Sequence, residues 1–91
     1  MSLTSKTRQA LKAKAHQLKP IVLIGNQGLT DAVHKEIDRG LTDHELIKVK
    51  ISTTDREVKH AIYEAICTIN HAEPVQLIGN IIVIYRKNQD K

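Results

Sequence analysis

Two glycines that bracket two polar residues form the segment of this chain best suited to hold an anion, Gly25-Asn26-Gln27-Gly28. Glycine has no Cβ atom, so its backbone can approach a ligand closely. The loop follows an apolar run and precedes Thr30, a good helix N-cap residue, and the unpaired N–H groups of a helix N-terminus attract phosphate. The pattern indicates phosphate binding, and glycines that only turn the chain are the ordinary alternative.

Positive charge is concentrated in the N-terminal third of the chain. The net charge is +4 over 91 residues. Residues 1–30 contain no Asp or Glu, and their basic residues are Lys6, Arg8, Lys12, Lys14 and Lys19. The rest of the chain holds nine Lys or Arg and ten Asp or Glu. A basic segment on a near-neutral body suits an anionic partner, most commonly nucleic acid, although a basic helix can also serve solubility alone.

Other kinds of chemistry have no comparable support in the sequence. Cys67 is the single cysteine, which excludes an intrachain disulfide and a cysteine-based metal site. The five His do not recur at metal-ligand spacing on one helix face, and no catalytic or nucleotide-binding motif is present. No apolar run approaches the roughly 20 residues of a membrane span, and no secretory signal is visible. We expect a non-enzymatic, cytoplasmic protein without metal, cofactor or small-molecule substrate.

The first half of the chain alternates between helical and extended patterns. Apolar residues at helical spacing predict a helix over residues 3–18 that Pro20 ends. Residues 21–24 are all apolar, which predicts a buried strand covered on both faces. A second helix is expected from Thr30, its N-cap, and Gly40 together with the polar Thr42-Asp43 region is expected to end it.

An alternating strand and a third helix follow. Residues 45–51 place apolar side chains on one side and Lys48 and Lys50 on the other. Residues 54–57 match a capping box, which predicts the start of a helix. The core stripe of this helix is predicted to be Val58, Ile62, Ala65, Ile66 and Ile69, without Tyr63 and Cys67.

The chain ends in a predicted β-hairpin, with strands 75–78 and 81–86 joined by a tight turn at Gly79-Asn80. Strands separated by helices pair in parallel through right-handed crossovers, and the hairpin adds one antiparallel strand. The predicted fold is an α/β protein of the α+β two-layer sandwich type. It has a four-stranded mixed sheet, the element order α-β-α-β-α-β-β, and a single domain over residues 1–91 that is ordered over about residues 3–87.

This topology gathers the candidate site at one edge of the sheet, where parallel strands end. A first helix folded back on the sheet would bring its basic N-terminal half to the same edge. The predicted RNA-binding residues are Gly25, Asn26, Gln27, Gly28, Lys6, Arg8, Lys12, Lys50 and Arg56. KH domains clamp a nucleic-acid backbone with a GxxG loop of this kind, and contacts to the backbone favour structured RNA read by its shape.

A family resemblance rests on five stretches in the order Leu18-Lys19-Pro20, Gly25 to Thr30, Glu45 to Lys50, Val75 to Gly79 and Ile84-Tyr85-Arg86. Over roughly residues 3–87 they resemble the CRM domain, and more closely the stand-alone bacterial YhbY-type proteins. The resemblance implies a fold like the C-terminal domain of bacterial translation initiation factor 3, with strand order 1-2-4-3. It also implies association with ribosomal RNA in precursors of the large ribosomal subunit.

The GxxG loop of that family corresponds to Gly25, Asn26, Gln27 and Gly28. Many relatives carry a basic residue inside the loop, whereas this chain has two neutral amides there. We therefore expect affinity to depend more on the flanking basic helix than on the loop. The alternative function is a protein-interaction module that uses an exposed face of the sheet, since the strand over residues 47–51 and the apolar hairpin could meet a partner.

Overall fold

A computed structural model of the chain describes residues 4–88. Its elements are α1 (Ser5–Ala15), β1 (Val22–Ile24), α2 (Asp31–His44), β2 (Leu46–Ile51), α3 (Arg56–Ile69), β3 (Glu73–Ile78) and β4 (Ile81–Tyr85). The predicted element order and the fold class are confirmed. The predicted start of the first helix at residue 3 lies outside the described residues.

The four strands form one mixed sheet in the order β1-β2-β4-β3. β1 pairs in parallel with β2, and β4 pairs antiparallel with both β2 and β3. β3 therefore runs in the same direction as β1 and β2, so the three strands end at the same edge. The strand order is the one that the family resemblance implies.

The helices lie on opposite faces of the sheet. α2 contacts β1 and β2, and α3 contacts β3, whereas α1 contacts β2 and β3. Side chains alternate along a strand, so Ile47, Val49 and Ile51 join the α2–α3 core, while Leu46 joins a second cluster with Ala15 of α1. α1 thus adds a partial third layer to the two-layer arrangement.

Two expectations about the first strand and its helix are wrong. β1 is not covered on both faces, because α1 crosses β2 and β3 and leaves Leu23 exposed. α1 ends at Ala15, earlier than predicted, and the chain continues in turns in which the Leu18 N–H donates to the Ala15 carbonyl at 3.0 Å. Pro20 follows the end of this helix without causing it.

Gly40 does not end the second helix, which continues to His44. The Thr30 hydroxyl does cap its start by accepting a hydrogen bond from the Val33 N–H at 3.2 Å. A Cβ atom at Gly40 would lie 2.8 Å from Ile21 Cδ1. Gly40 therefore permits a close approach of helix and chain, which accounts for a glycine inside the helix.

The third helix differs from its prediction at both ends. Its N-cap is Asp55, one residue later than the capping box indicates, and its carboxylate accepts hydrogen bonds from two N–H groups of the first turn. Val58 and Ile69 are exposed rather than part of the core. Tyr63 and Cys67, expected to lie off the core stripe, pack against the core because the helix is rotated towards β3.

The hairpin is confirmed with its turn at Gly79-Asn80, and Gly79 has a positive φ of 54°. β3 begins at Glu73 and includes Pro74, which an edge strand tolerates, beside a register shift before Gln76. Arg86 lies beyond β4 instead of ending it.

The Arg86 side chain ties together the ends of three elements. Its guanidinium donates to Asp38 Oδ1 at 2.7 Å, to Thr42 Oγ1 at 2.9 Å and to the Asn70 carbonyl at 2.9 Å. Asn70, which is buried, in turn donates to the His34 carbonyl at 3.1 Å. These bonds fix the chain after β4 against α2 and give the buried Asn70 partners for its side chain and its carbonyl.

Candidate nucleic-acid interface

Hydrogen bonds join three loops at the edge where β1, β2 and β3 end. The Ser52 N–H donates to the Ile24 carbonyl at 3.0 Å, and the Ile51 N–H donates to the Asn80 carbonyl at 2.8 Å. The first bond joins the first residue after β2 to the last residue of β1, and the second joins the last residue of β2 to the hairpin turn. The three loops therefore lie at one edge of the sheet, as predicted.

The GxxG loop exposes its backbone at this edge. The Gly28 N–H donates to the Gly25 carbonyl at 3.1 Å, which closes a tight turn. Gly28 has a φ of 72°, a conformation that side-chain-bearing residues rarely adopt, and a Cβ atom at either glycine would meet no heavy atom within 4 Å. Asn26 and Gln27 are exposed. The turn leaves open space in which a phosphate can approach the main chain.

The two helix N-termini at this edge are already partly neutralised by acidic residues. Asp31 lies in the first turn of α2, and α3 carries Asp55 as its N-cap and Glu57 in its first turn. These carboxylates interact favourably with the positive end of the helix dipole, as a phosphate would. The attraction for an anion must therefore come mainly from cationic side chains nearby.

Three cationic side chains surround the joined loops. Lys50 is exposed at the end of β2, opposite Leu23 of β1 in the parallel register, and Arg56 is exposed at the start of α3. Lys59 donates from Nζ to the Gly79 carbonyl at 2.9 Å. Sequence reasoning missed Lys59, although its position one helical turn after Arg56 was a usable signal.

The three predicted basic residues of α1 do not act as one group. Lys12 lines a cavity of about 220 Å³ with Ile78 and Ile81, which flank the hairpin turn, so it lies next to the edge. Arg8 lies beside Tyr63 of α3, where its positive charge opposes the rise of the tyrosine pKa. Lys6 is exposed near Arg8 in the first turn of α1. The helix crosses the sheet obliquely, so only Lys12 approaches the loops.

The chemistry of the half-buried side chains does not provide a nucleophile. Burial raises the pKa of Cys67 to about 11, with a further contribution from Glu73. Burial raises the pKa of Tyr63 to about 12. Both groups are protonated at neutral pH, so Cys67 is not a reactive thiolate.

Residues 4–88 contain no group of three His, Cys, Asp or Glu able to hold a metal ion. Within the same range, no helix combines the length and the apolar composition that crossing a membrane requires.

Comparisons with known proteins agree with one another. A family model described as the CRS1 / YhbY (CRM) domain matches residues 3–86. A Haemophilus influenzae protein named as an RNA-binding protein is 46% identical over 89 residues, covering 98% of this chain and 90% of its own length. A Pseudomonas aeruginosa protein named as a probable RNA-binding protein is 39% identical over 88 residues, covering 97% and 85%. The solution structure of a hypothetical Staphylococcus aureus protein, described as a candidate for RNA binding, superimposes with a TM-score of 0.85 at 37% identity, covering 96% of this chain and 91% of that one.

Proposed function

Because this chain belongs to the CRS1 / YhbY (CRM) domain family, we propose that it is a non-catalytic RNA-binding protein. The observation that carries the proposal is the open backbone of the Gly25–Gly28 turn, which lies at an edge that also holds Lys50, Arg56 and Lys59. Relatives with the same domain over nearly their whole length are named for RNA binding.

The mode of binding follows from the groups at this edge. Lysine and arginine side chains and main-chain N–H groups contact phosphates, which positions RNA without reading its bases. The three loops leave strand ends that are hydrogen-bonded at this edge, so their first residues are held in place before a ligand binds. Affinity should fall steeply with salt, and the sequence of the RNA should have little effect at this edge.

The finer proposal is association with ribosomal RNA in precursors of the large ribosomal subunit, as the family resemblance implies. Such a partner would be structured RNA in the cytoplasm. Sedimentation of a cell extract tests it, since the protein should migrate with large-subunit precursors and return to the top of the gradient after RNase treatment. Migration with a protein complex that resists RNase would favour the interaction-module alternative instead.

The loop is tested by the double variant Asn26→Asp with Gln27→Asp. Two carboxylates beside the open turn repel phosphate, so RNA affinity should fall by at least about tenfold at low salt. Fluorescence anisotropy with a labelled structured RNA measures the affinity. The urea midpoint should be unchanged, because both side chains are exposed.

A charge-matched control is Thr68→Asp with His71→Asp, two exposed positions near the opposite end of the sheet. This variant has the same added negative charge and should lose much less affinity than the loop variant. Equal losses in the two variants would mean that net charge alone governs binding. A folded loop variant with full affinity would refute the role of the loop.

A further inference from the structure

A groove runs along the edge strand β1, from the chain that links α1 to β1 and the end of α2 towards the GxxG loop. It consists of two adjoining cavities of about 340 Å³ and 470 Å³ that share Lys19 and Ile21. The residues that matter to its chemistry are Lys14, Leu18, Lys19, Ile21, Leu23 and Lys50. The groove begins where α1 ends and continues along β1 to Leu23, two residues before the GxxG loop.

The apolar lining of this groove is unusual for the surface of the protein. Six large hydrophobic side chains are exposed among residues 4–88, and three of them lie here, Leu18 at 37%, Ile21 at 49% and Leu23 at 62% exposure. Single exposed hydrophobic residues need no explanation, but a contiguous apolar patch with a polar rim marks a binding surface. The three residues lie within one short segment, and β1 is an edge strand that a helix covers on one face only.

The rim of the groove is cationic. Lys14 and Lys19 flank its lower part, Lys50 flanks its upper part, and no Asp or Glu lines either cavity within the described chain. The complementary partner is therefore an anionic chain that also offers flat apolar surfaces. Unpaired RNA has both properties, because its phosphates are charged and its base faces are free to contact aliphatic side chains. In a duplex, those base faces are stacked and unavailable.

The groove is continuous with the edge described above. Leu23 lies opposite Lys50 in the sheet register and precedes Gly25 by two residues. A strand that leaves the loop can therefore continue along β1 past Lys50 and Leu23. Lys50 belongs both to the edge with the GxxG loop and to the lining of the groove.

We propose that the groove along β1 binds an unpaired RNA segment continuous with the structured RNA held at the GxxG loop. This inference rests on the proposed function and adds to it the class of RNA, a junction between a structured element and a single strand. Phosphates contact Lys14, Lys19 and Lys50, and bases contact Ile21 and Leu23. Since the lining is aliphatic and not aromatic, base preference is weak.

The test compares a blunt RNA duplex with the same duplex carrying a short unpaired extension. The extended duplex is prepared in two forms, one with the extension at a 5′ end and one with it at a 3′ end. The wild-type protein should bind the better extended probe about threefold to tenfold more tightly than the blunt one. Leu23→Thr, which keeps a residue suited to a strand, should abolish this gain and leave affinity for the blunt duplex unchanged. The matched control is Ile69→Gln, which changes an exposed hydrophobic residue at the far end of α3 and should retain the gain.

A second variant changes a residue outside β1, so it does not disturb the pairing of that strand. Lys19→Gln lies between α1 and β1 and should lower the slope of log affinity against log salt by about 0.7 for the extended probe alone. Equal binding of both probes by the wild type, or a gain retained by Leu23→Thr, would overturn the groove and leave the loop intact. Failure of the wild type to bind either probe would overturn the proposed function itself. An acidic peptide that loses binding with Leu23→Thr, while the RNA gain persists, would assign the groove to a protein partner.

Discussion

The face of the sheet against α2 and α3 is sealed by aliphatic side chains, whereas the face under α1 is sealed only in part. Ile24, Ile37, Leu41 and Ile66 have no exposed surface on the first face. The second face has a small cluster around Ala15, and beyond it lie lysines and the open edge strand β1.

The difference separates stability from binding. The sealed face carries most of the buried apolar surface, and the polar network of Arg86 and Asn70 lies at its base. The open face carries cations and exposed hydrophobic residues that contribute little to folding. Substitutions on the sealed face should therefore change stability, and substitutions on the open face should change RNA affinity.

The largest effect is expected for Ile66→Ala on the sealed face. Ile66 is fully buried, and truncation should reduce the free energy of unfolding by about 2–5 kcal/mol through lost burial and a cavity. Urea unfolding measures the loss, and RNA affinity of the folded protein should be unchanged. Ile69→Ala, at an exposed position on the same helix, should cost less than about 1 kcal/mol. A lower RNA affinity in folded Ile66→Ala would contradict the separation of the faces.

A smaller effect is expected for Arg86→Met, which should reduce the free energy of unfolding by about 1–3 kcal/mol because the Asn70 carbonyl loses its donor. The ion pair with Asp38 contributes little of this, since the Asp38 side chain is 61% exposed. Arg39→Met, an exposed arginine on α2, serves as the control for lost charge. Equal stability losses in the two variants would show that the network is not what Arg86 provides.

The last effect is a pH dependence of stability on the sealed side, which solvent screening weakens because Cys67 and Tyr63 are only half-buried. Folding raises the pKa of Cys67 from 9.0 to about 11 and that of Tyr63 from 10.0 to about 12, chiefly by burial. The folded protein holds these protons more tightly than the unfolded chain, so the free energy of unfolding should fall as the pH rises from 9 towards 12. Denaturant unfolding at several pH values measures the slope.

Cys67→Ala should flatten the lower part of that slope. In Cys67→Ala part of the stability loss should disappear, while RNA affinity at neutral pH should be unchanged. A stability profile unchanged by the substitution would mean that the thiol does not titrate in this environment.

Local patterns in the sequence predict much of the fold. The N-cap at Thr30, the alternation around Lys48 and Lys50, and the Gly79-Asn80 turn depend on interactions between near neighbours, and the structure has each of them. The meeting of the GxxG loop with the end of β2 also follows from sequence, because parallel strands joined by a helix end at the same edge.

Features that depend on how distant elements pack were wrong or unseen. The role of Gly40 depends on Ile21, and the bonds of Arg86 depend on residues of α2 and on Asn70 after α3. The burial of Tyr63 and Cys67 depends on the rotation of α3 against β3. No spacing within a single segment carries this information.

The GxxG loop, its neutral amides and the excess of positive charge in residues 1–30 were determined by the sequence alone. Only the tertiary structure decided which cations accompany the loop. α1 crosses β2 and β3 rather than β1, which brings Lys12 near the loops, leaves Arg8 beside α3 and opens the groove along β1. The physical reason is that a helix is positioned by the apolar surface it buries, here Leu11 and Ala15 against Val75 and Val83, and not by the charges it carries.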